Sequence, residues 1–340
     1  MLSPVWGGLI LGLLMGIVLQ RSSFCGRAAL VEAFEGGGKV RLRAFVLAMA
    51  TTLLGTQLLS VLNLVDLSST LYLRAAVPLL GLVIGGALFG AGMMLADGCP
   101  SRLIVRTAQG QSEALLTWLV FVLAIMASQD GVLAPLRERL AGPSVQLPAA
   151  SLMGLLTGVP GWSLVVSLQM LMVAFLFASA RDSGWQDLKK SLSGALVGLL
   201  VAASWYVSTA GADDFEVKTT TALAFVAPAQ DLLRFLAMER LGFPLKFGSA
   251  SVLGVFIGAF VSAVAGRRFV WPTAPKSQIL RNLVGGVLMA VGGIQAMGCT
   301  IGQGLAGVAT LSLSSLIAVV SMVLGAWSAN RLLRHTVPIA

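Results

Sequence analysis

The stretch IGGALFGAGMMLADGC at residues 84–99 returns 200 positions later as VGGVLMAVGGIQAMGC at residues 284–299. Seven of the sixteen positions are identical, including both glycines at the start and the final Gly-Cys. A shorter echo pairs GLILGLL from Gly8 with GALVGLL from Gly194. Internal repeats of apolar segments are a common signature of membrane-protein architecture. The chain is therefore predicted to consist of two related halves.

The composition is that of a membrane protein. Hydrophobic residues make up 57% of the 340 positions, charged residues make up 11%, and the mean hydropathy is +0.90. Soluble domains carry about a quarter charged residues, so this chain has too few to cover a water-soluble fold. The net charge of +9 indicates basic loops beside anionic lipid rather than nucleic-acid binding. We expect an all-α polytopic membrane protein.

Apolar runs of the length that spans a bilayer, roughly 17 to 25 residues, predict about nine transmembrane helices. They lie near residues 5–20, 44–62, 76–96, 113–128, 163–180, 191–209, 249–265, 279–297 and 312–330. The first run lacks the basic region and cleavage site of a secretory signal, so it is interpreted as a retained span. Loops after odd-numbered spans hold 15 Lys and Arg residues and the alternate loops hold 7. This bias predicts an external N-terminus and a cytoplasmic C-terminus.

The nine spans suggest two repeats separated by one linking helix. We expect a first membrane repeat at residues 1–128, an external connection and linking transmembrane helix at 129–184, and a second membrane repeat at 185–340. Because five spans precede the second repeat, it enters the membrane in the opposite orientation to the first. The predicted architecture is an inverted pseudo-twofold repeat.

Four further stretches are too short to cross the bilayer and are interpreted as intramembrane half-helices. They cover residues 24–34, 99–108, 221–236 and 299–309. Broken backbone at membrane depth is tolerated only where it is buried in protein or lines a cavity. Inward helix N-termini offer free N–H groups and partial positive charge, which suits an anion. The alternative is that these stretches are ordinary loops outside the bilayer.

The chain has three cysteines, Cys25, Cys99 and Cys299, and one histidine, His335. The odd cysteine count and the lack of C-x-x-C and H-E-x-x-H patterns argue against a disulfide framework or a zinc site. We expect no metal and no cofactor, although three thiolates around a soft metal remain an alternative. A buried cysteine is commonly just a small hydrophobic residue. Here each cysteine ends a span and two are equivalent in the repeat, which favours a functional role.

Glycines and polar residues beside the cysteines are candidate supporting residues. Gly98 and Gly298 directly precede cysteines, where glycine permits the backbone to break and to turn its amides toward a ligand. Thr300 and Gln303 follow Cys299 within about one helical turn. Their side chains either hydrogen-bond the oxygens of an anion or join helices together.

The ionisable residues near the cysteines also allow two interpretations. Arg102, together with Arg21, Arg27 and Arg106, either forms an anion-attracting ring at a pore mouth or belongs to ordinary cytoplasmic loops. Asp97 either pairs with one of these arginines or takes up a proton during transport. No nucleotide-binding motif or catalytic triad is present, so we expect a protein that is not an enzyme.

Several motifs resemble those of the YeeE/YedE family of thiosulfate transporters, and the resemblance covers most of the chain. The motifs are QRSSFC at 20–25, GAGMMLADGC at 90–99, KFGSASVLGVFIGAF from Lys246 and GGIQAMGCTIGQGL at 292–305. The resemblance implies nine spans in an inverted repeat and uptake of thiosulfate across the bacterial inner membrane. It further implies a relay along Cys25, Cys99 and Cys299, and a cytoplasmic sulfur-carrier partner of the TusA type.

The chemistry of thiols is compatible with such a relay. The terminal sulfur of thiosulfate is soft and accepts weak hydrogen bonds, and a thiol is a weak donor. Conduction needs several sites that bind loosely enough to release, whereas lysine or arginine at those points would trap a dianion. Two alternatives stay open: a transporter of selenium compounds, and a sulfur-transfer protein whose cysteine becomes a persulfide.

Overall fold

The computed structural model describes residues 3–36, 39–74, 76–146, 149–155, 161–180, 185–210, 220–238, 244–271 and 275–336. These residues form helices joined by short connections, with a single pair of two-residue strands in the described part of the chain. The helices of the first half are α1 (Pro4–Ser22), α2 (Gly26–Glu35), α3 (Val40–Val61), α4 (Leu79–Leu95), α5 (Pro100–Ala108), α6 (Ser112–Gln129), α7 (Ala134–Ala141) and α8 (Leu152–Leu155). The remainder are α9 (Gly161–Ala180), α10 (Trp185–Ala210), α11 (Ala227–Met238), α12 (Phe247–Ala265), α13 (Lys276–Gln295), a π-helical segment (Gly302–Gly307) and α14 (Leu313–Thr336).

Nine helical segments within the described residues are long and apolar enough to cross a membrane. The expected all-α polytopic membrane protein is therefore confirmed. The first and third segments run to Pro4–Glu35 and Leu79–Ala108, beyond the predicted 5–20 and 76–96, because α2 and α5 follow α1 and α4 after only a short break. The linking helix α9 is the most exposed, with none of its spanning window buried.

Repeated glycines fix the crossing of α4 and α13. A Cβ atom on Gly92 would lie 2.7 Å from the backbone oxygen of Gly285, and one on Gly292 would lie 2.6 Å from that of Gly85. Real Cβ atoms do not approach oxygen so closely, so the two backbones meet only because both helices carry glycine there. Residue 85 lies opposite 292 and residue 92 opposite 285, which makes the helices antiparallel. The duplicated motif is thus an interface between its own two copies.

The remaining helix contacts occur in matched pairs. Helix α1 packs on α12 as α10 packs on α3, and α4 packs on α14 as α13 packs on α6. The short helices follow the same rule, since α2 contacts α3 and α14 while α11 contacts α12 and α6. Exchanging the first-half helices with their second-half counterparts leaves this set of contacts unchanged. This is the packing expected of a pseudo-twofold repeat, whose orientation in a membrane stays a prediction.

The predicted external connection packs closely on the helix bundle. The strands Ala76–Val77 and Val145–Gln146 pair antiparallel, and Ser151 bridges to Ser312. Helix α7 packs on α4, where the Cα of Ala141 would lie 2.9 Å from a Cβ on Gly81. These contacts tie the connection to both halves of the protein.

Candidate functional site

Each cysteine stands at a break in helical structure. Cys25 is the N-cap of α2 and Cys99 is the N-cap of α5, while Cys299 lies three residues before the first residue of the π-helical segment, Gly302. The side chains are buried, with exposures of 9%, 2% and 1% respectively. All three are free thiols. Helix ends at such positions leave N–H groups without intrahelical partners, so each thiol lies beside backbone donors.

The breaks depend on residues in the left-handed conformation. These are Ser23, Asp97 and Met297, with φ angles of 54°, 55° and 57°. We expected the glycines before the cysteines to provide this freedom, but Gly98 has no positive φ. Its lack of a side chain instead leaves room for Arg102, whose Cγ would be only 3.2 Å from a Cβ at that position. Gly298 does adopt a positive φ, 159°, and faces Gln303 in the same way.

The fold brings together cysteines that are distant in sequence. The side chain of Cys99 interacts with those of Cys25 and Thr300, and its sulfur lies 3.2 Å from Ser101 Oγ. A Cβ on Gly26 would lie 3.3 Å from the Cβ of Thr300. Residues 25–26, 99 and 300 therefore form one cluster, to which both halves of the chain contribute.

Cys299 has separate surroundings on the other side of Thr300. The backbone N–H of Gly302 donates to its sulfur at 3.4 Å. A Cβ on Gly302 would lie 3.8 Å from the Cys299 sulfur and 3.3 Å from the hydroxyl of Tyr72, so these two side chains flank the same point. Burial raises the pKa of the Tyr72 phenol well above its usual value, which keeps it a protonated donor. Sequence reasoning missed Tyr72, because a single tyrosine in a loop carries no motif.

Two of the four arginines near Cys25 and Cys99, Arg27 and Arg106, form ion pairs. Arg27 pairs with Asp97 at 2.7 Å, and Arg106 pairs with Asp97 at 3.5 Å and with Glu113 at 3.2 Å. Of the two interpretations of Asp97, the ion pairs bear out the one in which it pairs with a nearby arginine. These two arginines are therefore neutralised, and the contacts do not favour the interpretation of the four arginines as a ring of free cations.

Arg102 differs from these ion-paired arginines. It lies close enough to Cys25 and Cys99 to interact electrostatically with both. Its Nη1 is buried and has no hydrogen-bond partner among the described residues. A buried charged group without a partner is costly, so an unpaired guanidinium nitrogen beside two thiols is a donor available to an anion.

Gln303 acts mainly within the protein. Its Nε2 donates to the Ala296 oxygen at 2.7 Å, whereas its buried Oε1 has no partner among the described residues. An unpaired carbonyl oxygen repels an anion, so the contacts favour the helix-joining interpretation of this residue. Thr300 retains the position between Cys99 and Cys299 that substrate contact requires.

A cavity of about 260 Å³ opens next to Cys25. Four basic side chains line it, and we call it the basic vestibule: Arg21, Arg41, Lys190 and Arg268. They come from the end of α1, the start of α3, the first turns of α10 and the connection after α12. Of the four arginines near Cys25 and Cys99 in the sequence, only Arg21 lines this cavity. The other three cations were assigned from the sequence to ordinary loops, because nothing in their spacing indicates that the loops converge.

Comparison with known proteins identifies relatives over the whole chain. Residues 21–328 match the family described as Sulphur transport. The chain is 29% identical over 351 aligned residues to a thiosulfate transporter, TsuA, of Escherichia coli (strain K12), covering 97% of this chain and 95% of the relative. It is 28% identical over 346 residues to a thiosulfate transporter, TsuA, of Spirochaeta thermophila (strain ATCC 700085 / DSM 6578 / Z-1203), covering 95% and 97%. The family match includes all three cysteines.

Proposed function

Because the chain belongs to the Sulphur transport family, we propose that it takes up thiosulfate by relaying the anion along Cys25, Cys99 and Cys299. The chain is a multi-pass membrane transporter rather than an enzyme. Thiosulfate as the substrate follows the two relatives, which carry that name. The relay, the inner membrane as location and an external N-terminus are further parts of the proposal.

The observation that carries the relay is that Cys25, Cys99 and Thr300 lie together, with Cys299 next to Thr300 in the chain. Cys25 and Cys99 interact directly, and Thr300 links Cys99 to the Cys299 region. Every thiol is buried, so an anion moving along them is shielded from bulk water. Weak S–H donors at successive points bind a soft sulfur loosely, and loose multi-site binding favours conduction over trapping.

Each supporting residue has a role in this proposal. Arg102 supplies a charged donor beside the Cys25–Cys99 pair, because its Nη1 has no partner among the described residues. Thr300 lies between Cys99 and Cys299, where its hydroxyl donates a hydrogen bond to the passing anion. Gly98 and Gly298 make room for the side chains of Arg102 and Gln303, and Gln303 holds the turn that presents Cys299.

The test is uptake of labelled thiosulfate into proteoliposomes that contain the purified protein. We expect saturable uptake that excess sulfate does not abolish, and a loss of at least about tenfold in Cys99→Ala and in Cys299→Ala, since each substitution removes a donor that nothing replaces. Cys99→Ser retains part of the activity because a hydroxyl still donates. Sulfite and selenite serve as competitors that define the substrate.

Two results would contradict the relay. One is full uptake by both alanine variants with their folding unchanged. The other is a persulfide mass adduct on Cys99 after incubation with substrate, together with complete loss of uptake in Cys99→Ser, since a relay forms no covalent intermediate. Uptake of selenite in place of thiosulfate would be compatible with the relay mechanism but would change the assigned substrate.

We also propose that residues 1–128 and 185–340 are inverted repeats joined by the connection and linking helix at 129–184. The matched helix contacts and the antiparallel crossing of α4 and α13 support this division. A cytoplasmic carrier protein of the TusA type would then accept sulfur on the predicted cytoplasmic side. Co-purification of such a carrier with the full-length transporter tests that part separately.

A further inference from the structure

The basic vestibule collects cations from four separate segments of the chain. Arg21 ends α1, Arg41 begins α3, Lys190 lies early in α10, and Arg268 follows α12. Cys25 lines the same cavity. A space of about 260 Å³ accommodates a small oxyanion together with water, since one water molecule occupies about 30 Å³ of liquid.

Among the described residues, few acidic side chains compensate the charge of the vestibule. Arg41 faces Glu32 at 3.8 Å, and Arg21 Nε donates to the Ser262 hydroxyl at 3.4 Å. Within the part of the chain that the structure describes, Lys190 and Arg268 have no carboxylate partner. Clefts lined by one sign of charge and bounded by low-dielectric walls concentrate ions of the opposite sign.

We propose that the basic vestibule is a binding site for small divalent oxyanions, placed between Cys25 and the aqueous phase. The inference rests on the proposed function in naming thiosulfate as one such anion. The chemistry of the vestibule differs from that of the relay. Guanidinium and ammonium groups bind oxyanion oxygens by charge and have no preference for a terminal sulfur. The vestibule therefore captures anions without selecting among them, and selection takes place at the thiols.

The basic vestibule and the cysteine thiols should respond differently to sulfate. Sulfate has the charge and oxygens that the vestibule binds but lacks the soft sulfur that suits a thiol. Sulfate on the vestibule side therefore occupies the cavity without passing Cys25, and it slows the release or entry of thiosulfate there. Sulfate on the opposite side meets Tyr72 and Cys299 first and competes poorly.

The experiment measures thermal unfolding of the purified full-length protein in neutral detergent. Sodium sulfate at millimolar concentration is compared with sodium chloride at equal ionic strength, because high sulfate stabilises proteins by general exclusion and salt screens exposed charges. We expect a saturable rise in Tm with sulfate and with thiosulfate. Combining Lys190→Gln and Arg268→Gln should raise the apparent Kd for sulfate about tenfold or more, as loss of charged hydrogen bonds does.

Arg267→Gln is the matched control, because it removes the same charge from the neighbouring position, which does not line the cavity. It should keep the sulfate response of the wild type. An equal sulfate response in the double variant, or a rise in Tm that chloride reproduces, would overturn the proposal.

A lipid phosphate has the same charge chemistry as a free oxyanion. A second experiment therefore distinguishes a free anion from a lipid headgroup as the occupant of the vestibule. The sulfate titration is repeated in phosphatidylcholine nanodiscs with and without phosphatidylglycerol. The expected result is an unchanged sulfate Kd, whereas loss of the sulfate response in anionic lipid would assign the vestibule to a headgroup instead. Sulfate binding without any thiosulfate uptake would reject the proposed function but not the anion site in the vestibule. Thiosulfate uptake without sulfate binding would reject only the anion site.

Discussion

At the scale of single residues, charge and burial separate roles that look alike in the sequence. Arg27, Arg102 and Arg106 all lie within a few positions of a cysteine. Arg27 and Arg106 pair with Asp97, whereas Arg102 has no carboxylate partner among the described residues and keeps its buried Nη1 without a hydrogen bond there. Of these three guanidinium groups, that of Arg102 is the one whose charge no carboxylate among the described residues compensates, so we expect the three substitutions to have different effects.

Arg102→Gln should raise the KM for thiosulfate about tenfold or more, because a hydrogen bond from a charged donor is lost. Stability should not fall, since the substitution removes a guanidinium whose buried Nη1 has no partner among the described residues. Arg102→Lys should restore part of the affinity. Uptake kinetics and Tm of the same preparations measure both effects, with Arg137→Gln on α7 as the control. An unchanged KM would exclude Arg102 from the path.

At the scale of helices, close packing depends on glycine at the crossing of α4 and α13. The backbone atoms of Gly85, Gly92, Gly285 and Gly292 lie where a side chain would otherwise be. Van der Waals packing between close backbones is a main source of helix association in membranes. The crossing also sets the positions of Cys99 and Cys299, because each follows directly on one of the two helices.

Gly92→Ala and Gly285→Ala should each destabilise the protein by about 1–3 kcal/mol, the usual cost of overpacking. Gly304→Ala is the control, since its nearest contact would be an ordinary 3.6 Å from the Phe45 ring. Thermal unfolding in detergent provides the measurement. Equal Tm values for all three variants would mean that the two helices separate without cost and that the crossing does not hold the halves together.

At the scale of the whole molecule, the matched contacts predict an inverted repeat with opposite orientations in the membrane. The parallel packing of α1 with α12, where Gly12 meets Ser251 and Gly16 meets Val255, agrees with nine alternating spans. The bias of Lys and Arg among the loops then predicts that the basic vestibule faces the cytoplasm. Thiosulfate would enter near Tyr72 and Cys299 and leave past Cys25.

The orientation is tested with single reporter cysteines introduced into a variant whose three native cysteines are replaced by serine. A cysteine at Ser3 should react with a membrane-impermeant maleimide added outside intact cells. A cysteine at Lys39 should react only after the membrane is opened. The opposite pattern would invert the transporter and make the basic vestibule the entrance.

The sequence by itself determined the class of fold, because hydropathy and span length depend only on local composition. It also located the three cysteines and the duplicated glycine motif, since both are visible as patterns along the chain. The tertiary structure alone decided which charges are free, which cations converge on Cys25, and that Tyr72 flanks Cys299. Those properties depend on distances between residues far apart in the sequence, such as Arg41 and Arg268, and no local pattern encodes such distances.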